Sequence, residues 1–462
     1  MTQNNKVLAW AIALTIGLSA ALLASRVTAE EKNNDPSKLP LEDVQRFSIA
    51  ISQIKNYYVK PVNDKSLFED AIRGMLEGLD PHSSYLSEED FKELRESTSG
   101  EFGGLGIEVT MEKGLIKVVS PIDDTPAAKA GIKPGDYIVR IEDKPVKDLT
   151  LREAVSMMRG KPGSELTITI FRKGETKPLH IKLARAIIHI QSVKSRLLDK
   201  VYGYVRISHF QSPTADDVIK AVENLKKDTK GELKGLIIDL RNNPGGLLDS
   251  AVKISDTFID NDKKGKEEII VYTKGRLEGS QMTAAATPGD ILDNKPIIVL
   301  INEGSASGSE ILAGALQDNK RAIIVGKKSF GKGSVQTILP LSKDTGVKLT
   351  TALYYTPSGR SIQAKGIDPD IIIEDIKFPK ADADKLDLEN LSEADLKGHL
   401  ANGNEPDGSD KAEPKSGQAV DKEIETLEVK EKASKEDLSL MASDYQLFEA
   451  LNLLKGLTLV RK

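Results

Sequence analysis

The chain has 462 residues, which at roughly 150 residues per domain suggests about three domains. Its 65 Lys and Arg against 70 Asp and Glu leave a net charge of −5, without the basic excess of a nucleic-acid binder. With 39% hydrophobic residues it can bury a core, and with no cysteine it has no disulfide, thiolate metal site or cysteine nucleophile.

An apolar run over residues 7–24 follows Lys6 and precedes Val27-Thr28-Ala29 and the acidic Glu30-Glu31. Residues 1–29 read as a secretory signal cleaved after Ala29. The run is long for a signal core, so an uncleaved membrane anchor stands as the alternative. Either way the body of the chain is expected to be periplasmic or otherwise exported, and zero cysteine suits an oxidising compartment.

Residues 41–98 read as helical. Val44, Phe47, Ile51 and Ile54 recur at helical spacing, as do Phe68, Ile72, Met75 and Leu79. Asp80-Pro81 stops the second helix and a third follows Ser87; the region reads as structural, not as a site. Residues 100–188 change to short strands and turns, a single-domain length. From 190 to 375 strands alternate with helices, which predicts a layered α/β domain with a largely parallel sheet. Residues 378–462 form a charged linker and C-terminal helix, with 403–417 composed like a disordered segment. In that last helix Leu447, Ala450, Leu451 and Leu454 share one face, which must pack on its own domain or on a second copy.

The five histidines, His82, His180, His189, His209 and His399, are scattered, and no metal or cofactor is expected. The nucleophile-elbow pattern G-x-S-x-G is absent. Two segments carry sharper signals. NEGSASGSE over residues 302–310 lies between a buried strand and an apolar helix. It places a serine at the positive end of that helix, although a plain serine cap reads equally well. GKKSFGKGS over 326–334 nearly matches a phosphate-binding P-loop. Gly333 stands where Ser or Thr would bind magnesium, and residues 334–340 read as a strand where a P-loop would enter a helix.

A lysine on such a turn can instead be a general base if burial lowers its pKa. Gln336, four residues beyond Lys332, would share its face in a strand and help fix the amine. A Ser–Lys pair is chemically plausible, but the sequence alone does not show that Ser307 and Lys332 meet. DLRNNPGG over 239–246 ends a buried strand, where its backbone N–H groups could line an oxyanion hole or simply make a tight turn. GLGI over 104–107 could offer N–H groups to a terminal carboxylate, with a peptide adding as an edge strand.

Together with DPHSSYL over 80–86, FGKGSVQ over 330–336 and YTPSGR over 355–360, these motifs resemble the carboxyl-terminal processing peptidases, or tail-specific serine proteases. The resemblance covers roughly residues 41–375 in the family's motif order. It implies a PDZ domain inserted beside an α/β serine protease core, with an N-terminal helical part and a charged tail. By resemblance Ser307 is the nucleophile, Lys332 the general base and Gln336 its orienting residue. The backbone amides of Gly246 and Gly308 are the implied oxyanion hole, Gly308 standing where the family has alanine. Leu105, Gly106 and Ile107 would hold the substrate's tail, and the PDZ domain would gate the site. The implied partners are exported proteins with free C-termini, an activating adaptor and, through the terminal regions, further copies of the chain. The alternative is a PDZ scaffold whose protease core stays latent until a partner opens it.

Overall fold

A computed structural model describes residues 39–261, 267–374, 392–396, 398–400, 404, 440–441 and 443–460. The apolar run over 7–24 lies outside the described residues, as does the 403–417 stretch apart from Asn404. The chain divides into two compact units, one up to Ile72 and one from Arg73.

In the first unit, helix α1 (Leu41–Tyr57) opens with Glu42 and Asp43 and carries Lys55 in its last turn, the polarity its dipole favours. None of its residues is buried, so Val44, Phe47 and Ile54 are exposed. Lys55 pairs with Asp64 at 2.7 Å, at the start of α2 (Asp64–Glu77).

The second unit begins with the end of α2, strand β1 (Ser84–Leu86) and helix α3 (Glu88–Ser99). Ser87 caps α3 reciprocally: its Oγ accepts the Asp90 N–H at 3.3 Å, and its own N–H donates to the Asp90 carboxylate at 3.1 Å. Gly100, left-handed at φ 74°, ends the helix.

The chain enters a small β-rich domain along β2 (Glu101–Gly104) and leaves it along β9 (Ala186–His189), which pair antiparallel. Between them lie β3 (Ile107–Glu112), β4 (Leu115–Pro121), α4 (Pro126–Lys129), β5 (Tyr137–Ile141), β6 (Lys144–Pro145), α5 (Leu151–Met158), β7 (Glu165–Phe171) and β8 (Leu179–Ala184). The sheet runs β3-β4-β5-β7-β8, with β6 on β5. Ile116 and Val118, and Ile168 and Ile170, fill its core at the two-residue period of half-buried strands, while a register shift in β5 sets Ile138 and Ile141 three apart.

The larger domain holds β10 (Val193–Leu198), β11 (Tyr202–Ile207), α6 (Thr214–Asp228), β12 (Gly235–Asp239), α7 (Leu248–Phe258), β13 (Ile269–Gly275), β14 (Met282–Ala285), β15 (Ile297–Ile301), α8 (Gly308–Asp318), β16 (Ala322–Gly326), β17 (Ser334–Pro340), β18 (Gly346–Tyr355) and β19 (Ile371–Ile372). Its main sheet runs β10-β11-β12-β15-β16-β19, antiparallel at β10–β11 and parallel elsewhere. Strands β12 and β15 are buried at every position, so both faces of the sheet are covered. Leu236, Ile238, Ile297 and Val299 pack toward the layer of α6, α7 and α8. Ile237, Ile298 and Leu300 point the other way, onto Leu447, Ala450, Leu451 and Leu454 of the terminal helix α9 (Tyr445–Val460). The apolar face of α9 therefore covers the chain's own sheet, which leaves that face unavailable to a second copy.

A second, five-stranded antiparallel sheet joins β1-β18-β13-β14 with β17 on β18. Sequence periodicity did not announce it, and it brings β1 from the helical region onto Gly346–Lys348 of the core.

Candidate active site

The loops that leave the carboxyl ends of β12, β15 and β16 converge, as ligand-binding loops do in parallel sheets. The loop after β15 leads into α8, and Ser307 sits at its N-cap with φ 53° and ψ −113°. A non-glycine residue in that region stores roughly 1–3 kcal/mol of strain, and such residues cluster at functional sites. Its neighbours hold it there. Ser305 Oγ donates to Leu240 C=O at 2.8 Å, and Ser309 Oγ donates to Asn243 C=O at 2.9 Å. The outer two of three alternating serines thus lock onto the loop after β12, and the middle one lines a cleft of about 520 Å³.

In that loop Asn243 accepts the Gly245 N–H at 2.9 Å and donates its Nδ2 to Ile207 C=O at 2.9 Å. Gly246 has φ 143°, and a Cβ there would lie 2.1 Å from Phe210 C=O. Only glycine fits. Leu247 N–H and Ser309 N–H bond to Phe210 and Ala306 carbonyls. Among the hydrogen bonds of the described residues, the N–H groups of Gly246 and Gly308 have no acceptor. A Cβ on Gly308 would meet the Phe210 ring at 3.1 Å, so glycine here relieves packing against Phe210 without needing an unusual backbone.

Lys332 lines the same cleft from the loop between β16 and β17. The P-loop alternative fails on the fold, since Ser334–Pro340 is a strand. Burial, reinforced by the Lys348 ammonium, lowers the Lys332 pKa, while Glu393, Glu310 and Asp80 pull it back. The loop's backbone is fixed by Glu310, which is fully buried in the first turn of α8. Its Oε1 accepts Ser329 Oγ–H at 2.6 Å and Gly331 N–H at 2.7 Å; its Oε2 accepts Ser307 N–H at 2.7 Å and Lys332 N–H at 2.9 Å. One carboxyl group therefore joins the serine loop to the lysine loop. Burial pushes its pKa up to about 7, although four donors favour the charged form. Tyr354, also buried and lining the cleft, donates its hydroxyl to Lys332 C=O.

Gln336 lines the cleft too, beside a register shift in the β17–β18 pairing. Its Nε2 donates to Ser334 Oγ at 3.0 Å and to Thr350 Oγ1 at 3.3 Å. Thr350 Oγ1 in turn donates to Asp80 Oδ1 at 3.0 Å, and Thr350 N–H to Ser83 Oγ at 3.1 Å. Burial opposes the charge of Asp80, but hydrogen bonds from Ser83, His82 and Thr350 outweigh it and lower its pKa. Among the described residues, no hydrogen bond joins Ser307 Oγ to Lys332 Nζ.

These contacts correct the expectation that residues 41–98 carry no site. The Asp80-Ser83 turn supports Gln336 through Thr350, and Leu94, Ser97 and Thr98 of α3 line the cleft. The N-terminal motif reaches the cleft through hydrogen bonds to Thr350 and the β1–β18 pairing, contacts with distant sequence that periodicity cannot show. His209, too, lines the cleft. Glu310, Thr350 and Tyr354 were not singled out either. Of these only Glu310 had a readable signal, the S-x-x-E spacing of a capping box from Ser307.

In the small domain Leu105 is buried and Gly106 has φ 76°. A Cβ on Gly106 would lie 2.3 Å from Thr125. Leu105 C=O accepts Ala127 N–H, and Gly106 C=O accepts Ile122 N–H, which pins the turn. Among the described hydrogen bonds the Leu105 and Gly106 N–H groups have no acceptor. Ile107 opens β3, the edge strand of the sheet. Among the described residues no cluster of three or more His, Cys, Asp and Glu is placed to hold a metal.

Comparison with known proteins places these features in one family. The model of peptidase family S41 matches residues 201–373, a PDZ domain model matches 103–183, and the model of the activating protease CtpB N-terminal domain matches 12–90. A carboxy-terminal-processing protease of Bartonella bacilliformis is 48% identical over 403 residues, covering 87% of this chain and 89% of the relative. The carboxy-terminal processing protease CtpA of Bacillus subtilis is 38% identical over 344 residues, covering 74% and 72%. The solved photosystem II D1 C-terminal processing protease is 30% identical, covering 71% of this chain and 86% of its own, with a TM-score of 0.42. The chain belongs to the carboxy-terminal processing proteases of peptidase family S41, serine-type peptidases that here carry a PDZ domain.

Proposed function

We propose that the chain is an exported endopeptidase that cuts proteins near their C-termini with a Ser307–Lys332 dyad. The carrying observation is one cleft lined by Ser307, Lys332, Gln336 and Gly246, with the lysine half-buried and its pKa lowered by desolvation. A neutral Lys332 amine takes the Ser307 hydroxyl proton as Oγ attacks the scissile carbonyl carbon. The developing oxyanion accepts the N–H groups of Gly246 and Gly308. When the tetrahedral species collapses, Lys332 returns the proton to the leaving amine, and water then releases the acyl group by the same steps. Gln336 orients the amine, itself held by Thr350 and Asp80. Leu105, Gly106 and Ile107 bind the substrate's tail, the free N–H groups meeting its carboxylate and β3 offering an edge. Export rests on the 7–24 run and the Ala29 cleavage pattern.

The test is degradation of an unfolded protein with a free apolar C-terminus by wild type, Ser307→Ala and Lys332→Ala. Each variant should lose several orders of magnitude in rate. Full activity in either would remove the dyad.

One observation favours the second reading, a core latent until a partner opens it. The dyad side chains are not hydrogen-bonded to each other, and the Gln336 amide is engaged with Ser334 and Thr350. Purified protein that binds tail peptides but cuts only after a partner is added would select it.

A further inference from the structure

The chain beyond the core contributes a carboxylate to the housing of Lys332. Glu393, in a single 3-10 turn (Glu393–Asp395), is fully buried. Its N–H donates to Phe330 C=O at 3.0 Å, two residues before the lysine. Its Oε1 accepts Gln363 Nε2 at 2.9 Å, and Gln363 Oε1 accepts Gly333 N–H at 2.9 Å, one residue after the lysine. On its other side His82 Nε2 lies 2.7 and 2.8 Å from the two carboxylate oxygens. A glutamine amide can turn over, but with a carboxylate in front of it only its NH₂ end is tolerated there. Glu393 and the Gly333 N–H together therefore hold Gln363 in one orientation.

We propose that Glu393 is a positioning residue for the general base, fixing Phe330 directly and Gly333 through Gln363, and so setting where the Lys332 amine points. The proposal rests on the Ser307–Lys332 reading. Segments before and after the lysine turn are then held by one residue, Phe330 by its backbone N–H and Gly333 through its carboxylate, from a part of the chain that the sequence pattern marks only as charged. The Lys332 turn is otherwise held by Glu310, Tyr354, Ala364 and Ser305, none of which touches the Gly333 N–H. The charge of Glu393 also acts on Lys332, alongside Lys348 from β18, Glu310 from α8 and Asp80 from the turn before β1.

The experiment is the pH dependence of kcat and KM on a peptide with a free apolar C-terminus, for the full chain. The variants are Glu393→Ala, Glu393→Gln and Gln363→Ala, with Ser307→Ala and Lys332→Ala alongside and a thermal melt of each. Glu393→Ala should lose roughly ten- to a hundredfold in kcat, the scale of a misplaced catalytic group, with KM little changed. Gln363→Ala should lose a similar factor, and the double variant no more than either, because both act through one amide. Glu393→Gln can still accept from Gln363 while donating to His82, so kcat should return to within a few-fold. Having lost the anion, it should move the acid limb of the profile to lower pH. A purely structural role would lower the melting temperature and leave kcat per folded molecule and the limb unmoved; that result overturns the proposal. Gln363→Ala carries the test if Glu393→Ala does not fold. If Ser307→Ala and Lys332→Ala are inactive while the Glu393 and Gln363 variants match wild type, the positioning role alone fails. Activity in the dyad variants would instead remove the reading beneath it.

Discussion

The serine loop and the lysine loop each follow a parallel strand of the main sheet and are each rich in glycine, yet they are held by different means. The serine loop enters a helix, and the helix start, three alternating serines and the loop after β12 fix Ser307 through neighbours close in sequence or on the adjoining strand. The lysine loop enters an antiparallel strand and has no helix to order it. Its N–H groups bond to Glu310 and Gln363, and its carbonyls to Tyr354 and Ala364. The nucleophile is positioned locally, the base by distant parts of the fold. Helix polarity can be written into a few residues, whereas a turn with no helix behind it needs acceptors for its backbone N–H groups from several sides.

Glu310 is where the two loops meet, so its loss should erase the difference between them. In Glu310→Gln, either amide orientation sets an NH₂ against two donors, since each carboxylate oxygen accepts two hydrogen bonds. Buried donors left without acceptors cost about 1–3 kcal/mol each. We expect kcat to fall by about a hundredfold or more and the urea midpoint to drop.

The next largest effect is with pH. Lys332 works as a base only when neutral, and burial lowers its pKa, so kcat should rise with pH and level off below the ordinary lysine value of about 10.4. Glu310, pushed up to about 7, must be ionised to accept from both loops, so it adds to the same acid-side loss. For stability the sign is opposite. An acid whose folded pKa exceeds its unfolded value favours the fold at low pH and withdraws that contribution as pH rises through about 7. A rate profile that falls between pH 6 and 8, in buffers where the fold is intact, would contradict the assignment.

A smaller effect tests the loop after β12. Arg241 bonds Asp239 at 3.0 and 2.7 Å and, across the sheet edge, Asp444 at 2.8 and 2.7 Å, just before α9. Gln446 links the same helix to Arg241 and to Ile373 C=O. Asp444→Ala should destabilise by about 1–3 kcal/mol in urea while changing kcat only a few-fold, because Asp239 keeps Arg241 paired.

The smallest effect belongs to Gly308. Alanine there gains helix propensity of up to about 1 kcal/mol and presses on Phe210. Activity within about twofold of wild type would agree with a backbone amide doing the work; loss of a hundredfold would not.

Patterns with a local cause were legible. The run of residues buried in β12 and β15, the helix after Ser307, the strand after Lys332 and the terminal helix all follow from apolar periodicity and turn chemistry within a few residues. The motif set was enough to indicate the family. The sequence even held the clue to Glu310, through its distance from Ser307. It held none for the long-range contacts of Asp80, Thr350, Tyr354 and Glu393, which span 14 to 311 residues. Those pairings are made by the second sheet and by the tail's return to the core. An isolated strand or turn does not state its neighbour, because register and burial are decided only when the whole chain has packed.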